Sequence, residues 1–243
     1  FFHLKHKKIF SDIFGSYDFK KISLIHAHSL FSNGYIALKL KRKFGIPYIV
    51  AVRNTDVNWF FKYMIHLRKI GIEIMKESEK VFFLSNTYRD FVIYKYVPKK
   101  FRKLILNKTM VIPNGIDDFW FQNKGSIKVP KKSSLKLLYV GVINKNKNLL
   151  TTIKAIEVLR KNINVEYTIV GKIVDSKICK KIKNLPYVKY IEPLPKEKLI
   201  NIYRSNDIFV MPSYRETFGL VYPEAMSQGL PVIYSKGQGF DGQ

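Results

Sequence analysis

The chain has 243 residues, 47% of them hydrophobic and 25% charged, a balance that allows a sizeable core and excludes a disordered polymer. Its formal charge of +25 comes from 43 Lys and Arg set against 18 Asp and Glu. No apolar run reaches the roughly 18 to 20 residues that span a bilayer as a helix, and the single cysteine, Cys179, excludes an internal disulfide.

In chain order, strands are predicted at SLIHA (23–27), PYIVAV (47–52), KVFFL (80–84) and MVIP (110–113). A second series follows at LKLLYVGV (135–142), VEYTIVG (165–171), YVKYIE (187–192), DIFVM (207–211) and PVIY (231–234). Amphipathic segments separate them, as at Leu149, Ile153, Ile156 and Leu159, where the three-and-four spacing predicts a helix. Another helix is expected to open at Asn33 and Gly34 and to stop at Gly45 and Pro47. Short apolar runs alternating with amphipathic ones predict an α/β fold, parallel strands joined by crossover helices.

Between the two series lies PNGIDDFWFQNKGSIKVPKKSS, rich in Gly, Pro, Ser, Asn and Lys and following neither period. The expected organisation is an α/β unit over residues 1–118, a linker over 119–135 and a second α/β unit over 136–243. The chain opens on Phe, has no secretory leader pattern and stops just after a strand-like run, so truncation at both ends is expected; the lone cysteine fits a reducing compartment, and a cytoplasmic location is the default expectation.

The densest motif is PSYRETFGLVYPEAMSQGLPVI, residues 212–233, which reads as loop, helix, strand. A helix is expected from about Leu220 to Gln228, ended by Gly229 and Pro231. Ligands of doubly wound folds settle at the carboxyl ends of strands, where free amides and a helix dipole favour phosphate or an oxygen-rich sugar. Thr217, Phe218, Gly219 and Leu220 would present such amides, while Glu216 and Glu224 would accept from hydroxyl groups. Taken singly, Glu216 reads more readily as a dipole-complementing carboxylate and Glu224 as part of a solvated helix face. A second element, YVGVINKNKNLLTTIKAI, ends a buried strand at Gly141 and carries Lys145 and Lys147 into a helix, a setting suited to a diphosphate.

The string from Glu216 to Val232 closely resembles the signature of family 4 glycosyltransferases: two glutamates separated by seven residues, a Phe-Gly pair between them and Gly-x-Pro-Val after. The resemblance extends over essentially the whole chain and implies a GT-B architecture, two Rossmann-like domains facing across a cleft, acceptor side first and donor side second. It implies that Glu216 contacts the transferred sugar near the reacting carbon and that Glu224 binds the nucleotide ribose. It also implies that Lys147, six positions after Gly141, binds the diphosphate; Glu216 and Lys147 are therefore the expected catalytic residues. Family members commonly carry Arg directly after that glycine, where this chain has Val142. VIPNGID (111–117) resembles the family's entry into the interdomain linker.

In the first half, His26 and His28 fall at alternate positions near a strand end. A metal pair needs further ligands, and none stands at suitable spacing. One histidine is expected to be buried by packing and the other, with His28 the candidate, to hydrogen-bond in the cleft. After PYIVAV the family has a histidine facing the donor sugar; here Arg53 and Asn54 take that place, and Arg53 is a candidate contact to sugar or phosphate.

The activity implied is retaining transfer of a sugar from a nucleotide-diphosphate donor to a glycan or lipid-linked acceptor, in bacterial surface polysaccharide synthesis. No Asp-x-Asp motif occurs, so metal independence is expected, and no cofactor. Lysine alongside abundant Ile and Asn is also the bias of an AT-rich genome, which explains the charge with no partner. Spread over the whole length, the lysines do not form a nucleic-acid module, and an anionic membrane surface, met peripherally at the inner face of the plasma membrane, is the preferred partner for the charge. A nucleotide-sugar epimerase of the same fold, a nucleic-acid-binding protein and an inactive scaffold stay open as alternatives.

Overall fold

Nine strands form two parallel sheets in the computed structural model, which describes residues 2–127, 129 and 133–243. The first sheet holds β1 (Ile25–Ala27), β2 (Tyr48–Ala51), β3 (Lys80–Phe83) and β4 (Thr109–Val111), in the spatial order β1-β2-β3-β4. The second holds β5 (Ser134–Val140), β6 (Asn164–Val170), β7 (Val188–Ile191), β8 (Ile208–Met211) and β9 (Val232–Tyr234), in the order β7-β6-β5-β8-β9. Each strand lies at a predicted apolar run, and every pairing is parallel. Parallel sheets need both faces covered, which is why Val50, Val81, Tyr139, Ile169 and Phe209 are fully buried.

The chain divides into two compact units, Phe1–Pro113 with Gly242–Gln243, and Asn114–Asp241. Residues 119–127 of the expected linker are placed in the second unit. Asp117 caps the helix Asp118–Gln122 by accepting from the Phe119 N–H at 2.9 Å, and Trp120 of that helix is buried edge-on to Tyr203. Residues 128 and 130–132 of the same stretch lie outside the described residues.

Helix limits follow local chemistry. The helix Ser32–Phe44 ends where Gly45 adopts φ +74°, the left-handed conformation that costs glycine least. The helix Leu149–Leu159 buries Leu149 and Ile156 and leaves Leu159 exposed, so its apolar stripe is narrower than the sequence spacing implies. The helix Arg68–Glu77 receives cations at its negative end: Lys41 Nζ donates to the Glu77 carbonyl at 2.6 Å, and Lys108 Nζ to the carbonyls of Lys76 and Ser78 at 2.6 and 2.7 Å.

In the second unit β5 and β6 close on each other at their carboxyl ends. Gly141 N–H donates to the Val170 carbonyl at 2.9 Å, and a bridge from Ile143 to Ile173 extends the pairing past the strands. Gly171 stands at φ +147°, where a Cβ would lie 1.9 Å from the Gly141 carbonyl oxygen. Both the backbone conformation and the space therefore demand glycine, and the loop leaving β5 depends on it. Gly171→Ala is expected to destabilise the protein by at least about 2 kcal/mol, read as a lower urea midpoint; an unchanged midpoint would refute this account of the crossing.

Candidate donor site of the second unit

Loops leaving β5 and β8 carry the predicted residues, and asparagines stitch the two together. Asn144 caps a 3-10 turn over Lys145–Lys147, its side chain accepting from the Lys147 N–H at 3.2 Å. Asn146 Nδ2 donates to the Arg215 carbonyl at 2.8 Å, and the Asn146 carbonyl accepts from the Tyr214 N–H at 2.8 Å. Asn148 holds φ +57°, a conformation Asn tolerates better than most residues, and its Nδ2 donates to the Pro212 carbonyl at 3.1 Å. Segment 144–148 is thus fastened along 212–215, and Lys147 is delivered opposite Glu216.

Lys147 Nζ lies 2.6 Å from Glu216 Oε2, with the two side chains only 19% and 12% exposed. A charge-assisted contact of that length in a partly dry setting has a strong mutual attraction, set against the cost of taking both charges out of water. Ser213 Oγ donates to the same carboxylate oxygen at 3.3 Å, and the Thr217 N–H donates to Oε1 at 3.1 Å. Behind the loop, the Glu216 N–H donates to Gln238 Oε1 at 3.0 Å and the Gly239 N–H to the Glu216 carbonyl at 3.0 Å. A Cβ on Gly239 would lie 1.6 Å from the Thr217 carbonyl oxygen, so segment 237–240 packs directly on this loop. Asn144, Asn146, Asn148, Ser213 and Gln238 were not singled out by the sequence. The alternation of Asn with Lys in NKNKN was the available signal, because Asn is the residue that caps turns and accepts left-handed backbone.

The helix Val221–Ser227 follows, close to the expected span. Gly219 adopts φ +76°, and a Cβ there would lie 2.5 Å from the Tyr222 ring, so the turn before the helix demands glycine. Of the four predicted amides, that of Thr217 is taken by the Glu216 carboxylate; those of Phe218, Gly219 and Leu220 meet no acceptor among the described residues. Glu224 is half-buried and accepts from the Tyr203 hydroxyl at 3.2 Å. Burial raises its pKa above 4.5, a shift opposed by that hydrogen bond and reinforced by Asp117. Lys145, with Asn148, Thr151, Lys154, Lys181 and Tyr214, lines a cavity of about 320 Å³ beside the stitched loops. Val142 is exposed, with its carbonyl accepting from the Tyr139 hydroxyl at 2.8 Å.

In the first unit the histidines differ from the expectation, since neither is buried. His26 and His28 stack with ring centroids 4.1 Å apart, and the pKa of His26 is lowered by partial desolvation, by His28 and by Arg53. Alternation along β1 puts both rings on one face, which leaves neither to the core. Arg53 Nε donates to the His28 carbonyl at 3.3 Å, and Asn54 accepts from Asn58 Nδ2. What organises this region is Asp56, which the sequence did not mark. Its buried carboxylate accepts from the N–H groups of Leu30, Phe31 and Arg53 at 3.0, 3.0 and 2.8 Å, and burial raises its pKa against those bonds. No group of three or more His, Cys, Asp or Glu that could hold a metal occurs among the described residues, and no helix among them is long and apolar enough to cross a membrane.

Two Rossmann-like units, the second with a lysine-carboxylate pair and free amides at its strand ends, define a GT-B fold. The chain belongs to the glycosyl transferases group 1, whose family model matches residues 122–243, and the model for Glycosyltransferase Family 4 matches residues 7–118. It is 26% identical to an uncharacterized glycosyltransferase of Methanocaldococcus jannaschii over 96% of this chain and 64% of that protein. It is 27% identical to an uncharacterized 41.2 kDa protein in the cps region of Klebsiella pneumoniae, over 93% of this chain and 63% of that protein. The chain therefore spans somewhat under two thirds of the length of either relative. A similar solved structure is that of trehalose-6-phosphate synthase from E. coli bound with UDP-2-fluoro glucose, with 13% identity, a TM-score of 0.66, and cover of 98% of this chain and 63% of that one.

Two outcomes follow for stability. Removing one member of the Lys147–Glu216 pair strands the other, so Lys147→Met and Glu216→Gln should each lower the unfolding free energy. The double variant should lose less than the sum, with a coupling of about 1 to 3 kcal/mol in denaturant titrations; strict additivity would show the pair to be inert. Glu224, with its pKa raised, favours the folded state below its unfolded value of 4.5, and that advantage is lost as pH rises through its elevated folded value. At neutral pH the ionised carboxylate thus weighs against folding. Glu224→Gln, which keeps an acceptor for Tyr203, should raise the thermal midpoint by about 2 °C at pH 7 and converge on the wild type toward pH 4; a lowered midpoint at pH 7 would contradict this.

Proposed function

We propose that the second unit binds a nucleotide-diphosphate sugar and that the whole protein transfers the sugar, with retained anomeric configuration, to a glycan or lipid-linked acceptor. The observation that carries this reading is the Lys147–Glu216 contact, set at the carboxyl ends of β5 and β8 beside the amides of Phe218, Gly219 and Leu220. One of three ammonium donors of Lys147 rests on Glu216, and the others are available in kind to a phosphate oxygen. Those amides and that ammonium would stabilise the charge that grows on the departing nucleotide diphosphate. Glu216, held by Ser213 and Thr217, would accept from the sugar's hydroxyls and orient it; it is not assigned as a covalent nucleophile. Glu224 would accept from the ribose, with Tyr203 fixing its rotamer.

Gly141 would allow the diphosphate to approach the backbone, and His28, Arg53 and Asn54 are the candidate contacts of the first unit. Such chemistry needs no metal and no cofactor. The cps-region relative from Klebsiella and the UDP-sugar bound to the E. coli enzyme support surface polysaccharide assembly as the setting and a UDP-sugar as the first donor to try. A lipid-linked acceptor would place the protein at the inner face of the plasma membrane, without a nucleic-acid partner.

Calorimetric titration of UDP, GDP, ADP and their common sugar conjugates tests this. One nucleotide should bind, and Lys147→Ala and Glu224→Ala should each weaken it at least about tenfold, roughly 1.4 kcal/mol. Val142→Arg, supplying the cation common in the family, should tighten it. Failure of every nucleotide, or indifference to both alanine variants, would sink the reading. Conversion of the donor sugar without an acceptor would instead indicate an epimerase.

A further inference from the structure

We propose that the first unit carries a docking surface for an anionic phospholipid bilayer, built from segment 59–65 and from the helices Asn86–Tyr96 and Lys99–Leu106. The three pieces are joined around Tyr96. The Phe61 ring stacks on it with centroids 4.9 Å apart, and the Arg68 guanidinium lies 4.9 Å from its centroid. Arg102 fastens the two helices, donating to the carbonyls of Tyr94 at 2.7 Å and Val97 at 3.0 Å.

This region turns large apolar side chains outward. Trp59 is 53%, Ile65 65% and Tyr94 57% exposed, and Tyr63, Phe91 and Leu104 are also exposed. Trp59 and Tyr63 sit together, with ring centroids 5.4 Å apart. Around them the sequence holds no Asp or Glu between residues 57 and 70 or between 91 and 108, while those stretches contain nine Lys and Arg; Asp90, the one acid of the helix Asn86–Tyr96, is paired with Arg89 at 2.8 Å. Lys62, Lys69, Lys95, Lys99, Lys100 and Lys103 are all exposed. The contrast within the same unit is direct: Lys41 lies 2.9 Å from Glu79 and Arg42 3.2 Å from Glu73, so that basic cluster is neutralised in place.

Tryptophan and tyrosine favour the headgroup level of a bilayer, and exposed lysines on long stems add attraction to anionic lipid. Ile65 and Leu104 argue for lipid over nucleic acid, since an aliphatic side chain gains little against a phosphate backbone, whereas it partitions into the acyl boundary. The inference deepens the reading of a lipid-borne acceptor, and it rests on residues separate from the donor site, so its failure would leave nucleotide binding by the second unit untouched.

The test uses the full chain and vesicles of phosphatidylcholine, alone or mixed with phosphatidylglycerol. Cosedimentation is read for the wild type, and in a Trp120→Phe variant the emission reports on Trp59, the other of the two tryptophans. Anionic vesicles should bind the protein and shift Trp59 emission to the blue; neutral vesicles should not bind. Combined Lys99→Ala, Lys100→Ala and Lys103→Ala should weaken binding at least about tenfold. Combined Lys177→Ala, Lys180→Ala and Lys183→Ala, which removes equal charge from the second unit, should leave binding nearly intact. Equal loss in both triples would show that only net charge matters and would overturn the proposal. So would an unshifted Trp59 emission, or a single-stranded oligonucleotide that competes the protein off the vesicles and shifts Trp59 itself.

Discussion

The contact between Lys147 and Glu216 is the constraint around which the second unit is arranged. These residues lie 69 positions apart in sequence, and their side chains meet at 2.6 Å in a setting only partly open to water. Such a pair is favourable only if geometry and extra hydrogen bonds offset the loss of hydration. Here Ser213 and the Thr217 amide supply the extra bonds on the carboxylate, and Asn144, Asn146 and Asn148 fix the lysine loop against segment 212–215. The strands beneath complete the arrangement, since β5 and β8 are neighbours in the sheet.

Glycine makes this closeness sterically feasible. At Gly171 and Gly239 a Cβ would fall 1.9 and 1.6 Å from a backbone oxygen, distances that no side-chain adjustment relieves. The first places the exit of β5, and the second seats segment 237–240 on the Glu216 loop. The Glu216 loop is thereby held by backbone fit from behind and by polar side chains from the flank, leaving the amides of Phe218, Gly219 and Leu220 turned to no protein acceptor among the described residues.

The first unit solves the corresponding problem with one buried acid. Asp56 collects the N–H groups of Leu30, Phe31 and Arg53, which joins the loop after β1 to the loop after β2. Its burial opposes ionisation while the three donors favour it, a balance typical of a carboxylate that organises backbone. Arg53 and Asn54 are set by this acid and by Asn58.

The sequence by itself determined the strands and the helix after Gly219, because short apolar runs bounded by Gly and Pro encode local conformation and burial together. It also marked Lys147, Glu216 and Glu224, through the resemblance of their motifs to those of family 4 glycosyltransferases, which is legible without coordinates. Tertiary structure alone decided who meets whom: that Lys147 rests on Glu216, that Thr217's amide is spent on its own neighbour, and that both histidines lie outside the core. Asp56, Gln238 and the three asparagines escaped a linear reading because a polar residue's role comes from the backbone groups it faces. Those groups come from distant segments, brought near only when the sheet assembles.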